Sequence, residues 1–265
     1  MDLDHHRGGT GEPLVLVHGI GLSWRGWRPV LPLLERSFDV LAVDMPGFGH
    51  SPPLPAGTES TPEALADGVE GAMDAAGFGR AHIAGNSLGG WVALELARRG
   101  RATTAVAISP AGMWHARERD WARSILRVLR WLARNAPGAE AVARNPVSRA
   151  FVTGPAVARP WRMERDAAIE TLRLYANAPG FDETLARMCA QRPRGLDQIP
   201  VPVLVLWGTL DILLPPRQGR RFERLIPDCE LRYLRGLGHM PMSDDPDLLA
   251  DEIRRWCAPR AEAPA

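Results

Sequence analysis

Gly85-Asn86-Ser87-Leu88-Gly89 lies between an apolar run, Ala81 to Ala84, and a helical stretch from Trp91 to Arg99. A G-x-S-x-G pattern at a strand-to-helix join forces the serine into a strained turn and lifts its hydroxyl out of the sheet. Gly85 and Gly89 flank it because a Cβ at either position would collide with the neighbouring strand and helix. A serine hydroxyl is a poor nucleophile at neutral pH and needs a base in hydrogen-bond reach, itself oriented by an acid. Asp211 follows the apolar run Val203 to Trp207, and His239 follows the glycines at 236 and 238 after the next apolar run. Ser87, Asp211 and His239 are therefore the candidate nucleophile, acid and base, each placed just after a predicted strand. Taken singly they could be a helix-capping serine, a turn aspartate and a loop histidine; their order along the chain favours the catalytic reading.

Acyl chemistry also needs donors aimed where negative charge develops on the carbonyl oxygen. The N–H of Leu88, at the start of a helix, is one candidate because the first helical N–H groups have no intrahelical partner. The N–H of Ile20, in the loop His18-Gly19-Ile20-Gly21, is the other. His18 is expected to shape that loop by hydrogen bonding, with Gly19 close to the site. Asp44 is expected to brace the glycine turn that follows it, and His50 has no catalytic role. The Gly47-Phe48-Gly49 segment lacks the full dinucleotide-binding spacing.

Positioning these groups takes alternating strands and helices. Apolar, β-branched runs predict strands at 14–18, 38–44, 81–86, 104–109, 203–207 and 230–234; helical patterns fall at 27–36, 62–76, 88–99, 217–225 and 246–257. Thr61 followed by Pro62 is a helix start. Such alternation builds a mostly parallel sheet covered by helices on both faces. It breaks between about Gly112 and Asp197, where no convincing strand is found.

Residues 113–195 carry fifteen arginines against eight acidic residues, within a chain whose formal net charge is only +1. Four of the nine tryptophans lie there, and an inserted helical lid over the strand ends is the natural interpretation. From Trp121 to Arg134, Trp121, Ile125, Val128, Leu129 and Leu132 share one helical face, and Arg119, Arg123, Arg127, Arg130 and Arg134 share another. The expectation is a lid helix packed on its own domain with a solvated arginine face; contact with a lipid surface is the less favoured reading. Trp114, Trp121, Trp131 and Trp161 either line an apolar acyl pocket or fill the core of the lid.

All 32 basic side chains are arginine, and the near-neutral balance gives no bulk field for nucleic acid. Cys189, Cys229 and Cys257 are far apart and show no C-x-x-C spacing, which argues against a disulfide framework or a zinc site. No apolar run reaches the length of a membrane span, and Met1 to Gly11 has no signal-peptide core. The expectation is a reduced, cytoplasmic protein acting on a small-molecule substrate without metal or organic cofactor; the oligomeric state is open. The segment after Ala258 reads as a polar tail.

His18-Gly19, Asp44 to Ser51, Gly85 to Gly90, Gly208-Thr209-Leu210-Asp211 and Gly238-His239 together resemble the α/β-hydrolase superfamily, in its small, capped bacterial form. The resemblance covers nearly the whole core and implies residues 1–111 and 198–265 as an α/β-hydrolase-fold core, with 112–197 as the helical lid. Members usually carry two strands before the one ending in His-Gly. Only 17 residues precede His18, so the N-terminal edge strands are expected to be missing or truncated, with at most a stub around 2–7.

What the resemblance implies is a serine hydrolase cleaving a small-to-medium, largely apolar ester through an acyl-enzyme on Ser87. A second reading keeps the fold and changes the bond. Gly85-Asn86-Ser87 resembles the elbow of hydrolases that cleave C–C bonds in ring-fission (meta-cleavage) products, and lid arginines suit the carboxylate of such substrates. Against it, Met240 follows His239 where those enzymes carry tryptophan, and the loop after Gly19 lacks their Ser-Gly-Pro-Gly pattern. Acyl transfer and perhydrolysis use the same triad, while a non-catalytic binding module would predict a broken one.

Overall fold

The computed structural model describes residues 1–135 and 144–258; the predicted polar tail after Ala258 lies outside them. Its strands are β1 (His5–Gly8), β2 (Glu12–Val17), β3 (Phe38–Val43), β4 (Ala81–Asn86), β5 (Ala102–Ile108), β6 (Val203–Gly208) and β7 (Cys229–Leu234). They form one sheet in the order β1-β3-β2-β4-β5-β6-β7. Every pairing is parallel except β1 with β3, where His5 stands opposite Val43. The N-terminal edge is thus reduced to one four-residue antiparallel strand, close to the predicted stub.

The helices are α1 (Leu31–Leu34), α2 (Pro62–Ala75), α3 (Leu88–Arg98), α4 (Ala116–Asn135), α5 (Pro146–Thr153), α6 (Arg165–Asn177), α7 (Phe181–Ala190), α8 (Gly219–Glu223), α9 (Pro241–Asp244) and α10 (Pro246–Cys257). Thr61 caps α2 as its sequence predicts, its hydroxyl accepting the Ala64 N–H at 3.2 Å. The helix predicted over 27–36 shrinks to a 3₁₀ turn, Trp24–Trp27, and the short α1. Pro29 and Pro32 account for that break, because each removes an N–H and clashes with the preceding turn. Pro215 and Pro216 likewise start a 3₁₀ turn that shortens the predicted 217–225 helix to α8.

Alternating side chains of each strand feed two cores. Val15, Val17, Leu41 and Val43 pack with Leu65, Val69 and Met73 of α2 and Trp91 of α3. Leu14, Leu16, Val40 and Ala42 pack on the other face with Leu34 of α1 and Leu249, Ile253 and Trp256 of α10. From β2 the chain crosses to β3 on one side and then to β4 on the other. In open parallel sheets the crevice at such a reversal, at the carboxyl ends of the strands, is where ligands bind. The loops that leave β2 and β4 there carry Ile20 and Ser87.

Helices α4 to α7 are the insertion between β5 and β6. Glu118, in the first turn of α4, is buried and meets Arg217 at 2.6 Å and Arg221 at 2.5 Å on the core. Burial alone would raise its carboxyl, but Arg221, the His115 N–H and Arg217 outweigh that and hold it at about 2. At the other end, α7 docks through the Gly180 N–H on the Gly47 carbonyl at 3.0 Å and through Ser60 Oγ with Thr184 Oγ1 at 2.6 Å.

The face of α4 differs from its pattern. Glu118, Ala122, Leu126 and Arg130 are buried, whereas Trp121 and Val128 are exposed. Arg130 turns inward because its guanidinium satisfies the carbonyls of Tyr175 and Ala178, where α6 ends and its last C=O groups lack helical partners. The same guanidinium stacks 4.8 Å from the Phe181 ring centroid. Of the four lid tryptophans only Trp114 is buried; Trp121, Trp131 and Trp161 face outward, so they do not fill the core of the insertion.

Candidate active site

Ser87 sits between β4 and α3 with φ 58° and ψ −115°, a conformation that a residue with a Cβ rarely adopts. The turn is held from both sides. The Ser87 N–H donates to the Ile108 carbonyl at 2.9 Å, and the Ala111 N–H donates to the Ser87 carbonyl at 3.0 Å. A Cβ on Gly85 would overlap the Gly89 carbonyl, and one on Gly89 would overlap that of Val17, which is the close packing the motif requires. A Cβ added at Gly19 would approach that of Ser87 at 3.3 Å, so the β2 loop lies against the serine.

His239 and Asp211 meet at 2.7 Å through Nδ1 and Oδ2, both buried. With its proton on Nδ1 the imidazole donates to the carboxylate, which leaves Nε2 as the acceptor. The other oxygen of Asp211 accepts the Leu214 N–H at 2.8 Å, so the carboxylate cannot swing away. The two loops are laced together: the Thr209 N–H reaches the Leu234 carbonyl at 3.0 Å and the Leu210 N–H reaches that of Leu237 at 2.9 Å.

Asn86 joins this pair to the serine. Its Nδ2 donates to the Ile108 carbonyl at 3.2 Å and to the His239 carbonyl at 2.9 Å. The backbone of the base is therefore fixed to the residue that precedes the nucleophile. Among the described residues Ser87 Oγ makes no hydrogen bond, and the structure does not close it onto Nε2. The N–H groups of Ile20 and Leu88 also find no acceptor among the described residues. Two unspent donors and one unspent hydroxyl thus gather at the reversal of the sheet, where Ser87 is only 6% exposed.

His18 is buried, with Nδ1 on the Gly19 carbonyl at 2.7 Å and Nε2 accepting the Met45 N–H at 3.0 Å. Burial pushes its imidazole down to about 4, so it stays neutral near pH 7 and bridges the β2 loop to the Met45 backbone. Asp44 accepts the N–H groups of Trp24 at 2.6 Å and His50 at 2.9 Å, bracing the turn as expected, and burial raises its carboxyl to about 6.

Sequence reasoning missed Asp244. Its buried carboxylate accepts the Gly238 N–H at 2.7 Å, next to His239, and the N–H groups of Ala158 at 3.0 Å and Arg159 at 2.8 Å from the insertion. The Met240 N–H reaches the Ala156 carbonyl at 2.8 Å beside it. In the sequence, an aspartate just before Asp245-Pro246 reads as part of a helix start, and nothing local marks its longer reach. A cavity of about 530 Å³ opens next to this junction, between Leu22, Arg25, Met163, Glu170, Leu174 and Met240. Its walls are mainly apolar, and it flanks His239 without including the three candidate residues. Among the described residues no cluster of three His, Cys, Asp or Glu side chains is arranged to hold a metal ion, and no helix is long and apolar enough to cross a membrane.

Residues 14–252 match the alpha/beta hydrolase family. The chain belongs to that family. This alpha/beta hydrolase is 33% identical over 213 residues to "Epoxide hydrolase EphH" of Mycobacterium tuberculosis, covering 75% of this chain and 97% of the relative. A segment of 97 residues is 41% identical to 2-hydroxymuconate semialdehyde hydrolase of Pseudomonas sp. strain CF600, covering 36% of this chain and 34% of the relative. Among solved structures, a thermophilic esterase from Thermogutta terrifontis superposes with a TM-score of 0.73 at 27% identity, over 96% of this chain and 92% of that one. The alpha/beta hydrolase described here is an enzyme of that fold.

Proposed function

We propose that the alpha/beta hydrolase is a serine hydrolase that breaks an acyl bond through a covalent intermediate on Ser87. The observation that carries this reading is the strained serine tied by Asn86 to a buried His239–Asp211 pair. His239 Nε2 takes the proton from Ser87 Oγ as that oxygen adds to the substrate carbonyl carbon. Asp211 holds the tautomer and stabilises the imidazolium. The negative charge moves to the carbonyl oxygen, facing the N–H groups of Ile20 and Leu88; each such donor supplies about 3–4 kcal/mol. His239 then gives its proton to the leaving group and afterwards takes one from water, which adds to the acyl carbon; returning that proton to Ser87 Oγ releases the acid and restores the serine. Residues 112–197 serve as the lid over a core made of 1–111 and 198–265.

Two bonds fit this sequence of steps. An apolar carboxylic ester leaves an alcohol, and the similarity to an esterase supports that reading. The carbon–carbon reading draws more from the relatives: a 97-residue segment is 41% identical to a 2-hydroxymuconate semialdehyde hydrolase, and Asn86 stands before Ser87 here. There the leaving group is a carbon that His239 must protonate, so the proton arrives at carbon rather than oxygen. The similarity to an epoxide hydrolase does not extend to epoxide opening by Ser87. A serine oxygen opening an epoxide would leave an ether that neither water nor imidazole cleaves.

Ser87→Ala should abolish both turnover and covalent labelling by a fluorophosphonate; labelling that persists would refute Ser87 as nucleophile. Turnover of a p-nitrophenyl ester beside a vinylogous 1,5-diketo acid separates the two bonds.

A further inference from the structure

The roll of α4 leaves an apolar stripe outside the molecule. Trp121 is 53% exposed, Val128 56% and Trp131 62%, and their spacing sets them along one side of the helix over about 15 Å. The indole N–H of Trp121 donates to the Ile212 carbonyl at 2.8 Å, so the stripe continues onto the tip of the loop that holds Asp211. Leu210 and Ile212 are both exposed there. Exposed apolar groups this closely grouped mark a contact surface.

The charges around the stripe indicate what it contacts. Arg119 and Arg123 are matched by Asp120, at 3.0 Å and 3.6 Å, and Arg134 by Asp182 at 3.6 Å. Arg117 and Arg127 make no ion pair among the described residues, and both are exposed. On a larger scale, residues 113–195 hold fifteen arginines against eight acids, while the rest of the chain holds seventeen against twenty-three. The molecule is therefore electrically polarised, with the insertion as its positive end. A second copy would press two arginine-rich faces together. A negatively charged partner meets no such repulsion.

We propose that the outer face of α4, with the 210–212 loop tip, docks on an anionic lipid interface. Tryptophans and valine enter the boundary between headgroups and acyl chains, and the arginines pair with lipid phosphates. Attachment is peripheral, since among the described residues no helix can cross a bilayer. It sets the Asp211 loop against the interface.

The test is co-sedimentation of the full chain with vesicles of phosphatidylcholine alone and of equal parts phosphatidylcholine and phosphatidylglycerol. Binding is expected on the anionic vesicles only, weakening as salt rises. Trp131→Ser with Val128→Ser should cut that partition at least about tenfold, and Arg127→Gln about fivefold. Circular dichroism and thermal melts check that these surface variants fold. No binding at low salt, equal binding to both vesicles, or binding untouched by the double substitution would overturn the proposal. So would a concentration-dependent dimer in analytical ultracentrifugation that the same double substitution dissolves, for then a second copy covers the stripe.

Discussion

Replacing Ser87 by glycine should stabilise the protein while silencing it. At φ 58° and ψ −115° the backbone stands where a Cβ is strained, and the conformation is the mirror image of an ordinary extended one that glycine adopts freely. Strain of this kind is worth about 1–3 kcal/mol. Against it, glycine has a more disordered unfolded chain, which costs about 0.4–1 kcal/mol relative to alanine. Because Ser87 Oγ makes no hydrogen bond among the described residues, neither Ser87→Gly nor Ser87→Ala removes one. Alanine keeps the Cβ and therefore the strain. The glycine variant should exceed the alanine variant by about 1–2 kcal/mol. For a chain of this size that corresponds to a melting temperature higher by about 2–4 °C. Differential scanning calorimetry of the two inactive variants reads this directly. A glycine variant that melts at or below the alanine variant would show that the turn is unstrained, and the argument for a poised nucleophile would fail with it.

Asp211→Asn should leave the thermal melt nearly unchanged and lower kcat by roughly a thousandfold to ten-thousandfold, because Nδ1 loses the partner that fixes the tautomer; a drop under tenfold would remove Asp211 from the mechanism. His18 titrates at about 4 in the folded chain and near its ordinary value of 6.5 when unfolded, so between those values the unfolded state binds more protons. The His18 contribution to stability should fall as pH drops through that window, by up to about 1.4 kcal/mol per pH unit. Asp44, raised to about 6, takes its proton first in the folded state and works the other way. Between about 4 and 6 the two slopes nearly cancel in the parent chain, so urea midpoints should fall with rising pH in His18→Gln and rise with pH in Asp44→Asn, and the reverse pattern would sink both assignments. Glu118→Gln strips Arg221 and Arg217 of their charge partner and should cost about 2 kcal/mol, with faster proteolytic cleavage of the insertion at pH 7. In the parent chain the same stabilisation is lost as pH falls from the ordinary carboxylate range through about 2, and identical midpoints for parent and variant at pH 7 would refute the anchor.

Most of the frame was legible because short apolar segments punctuated by glycine can do little except build a buried parallel sheet. The Ser87 turn, the chain order of Asp211 and His239, and the loop role of His18 follow from local chemistry that only a few residue types satisfy. Where reading failed, the deciding partner lay far along the chain. Arg130 belongs to a predicted solvated row, and only the exposed end of α6 makes its burial favourable. Trp121 and Val128 sit on the apolar side of the helical wheel, yet periodicity records amphipathicity without saying which side meets the domain. In the 27–36 segment the apolar spacing is helical, yet Pro29 and Pro32 together confine the helix to Leu31–Leu34. Asp244 gave no signal because its three N–H donors come from two loops far apart in sequence.

The Asp244 knot limits how the entrance can open. One carboxylate grips both the residue before His239 and the segment at Ala158 and Arg159, so displacing that margin of the covering helices would drag the imidazole out of register. Any movement of the covering helices that keeps His239 in register must therefore leave this margin in place. The Asp244 carboxylate thus couples the placement of the insertion to that of the His239 loop, and a sequence change at Ala158 or Arg159 is felt at the imidazole.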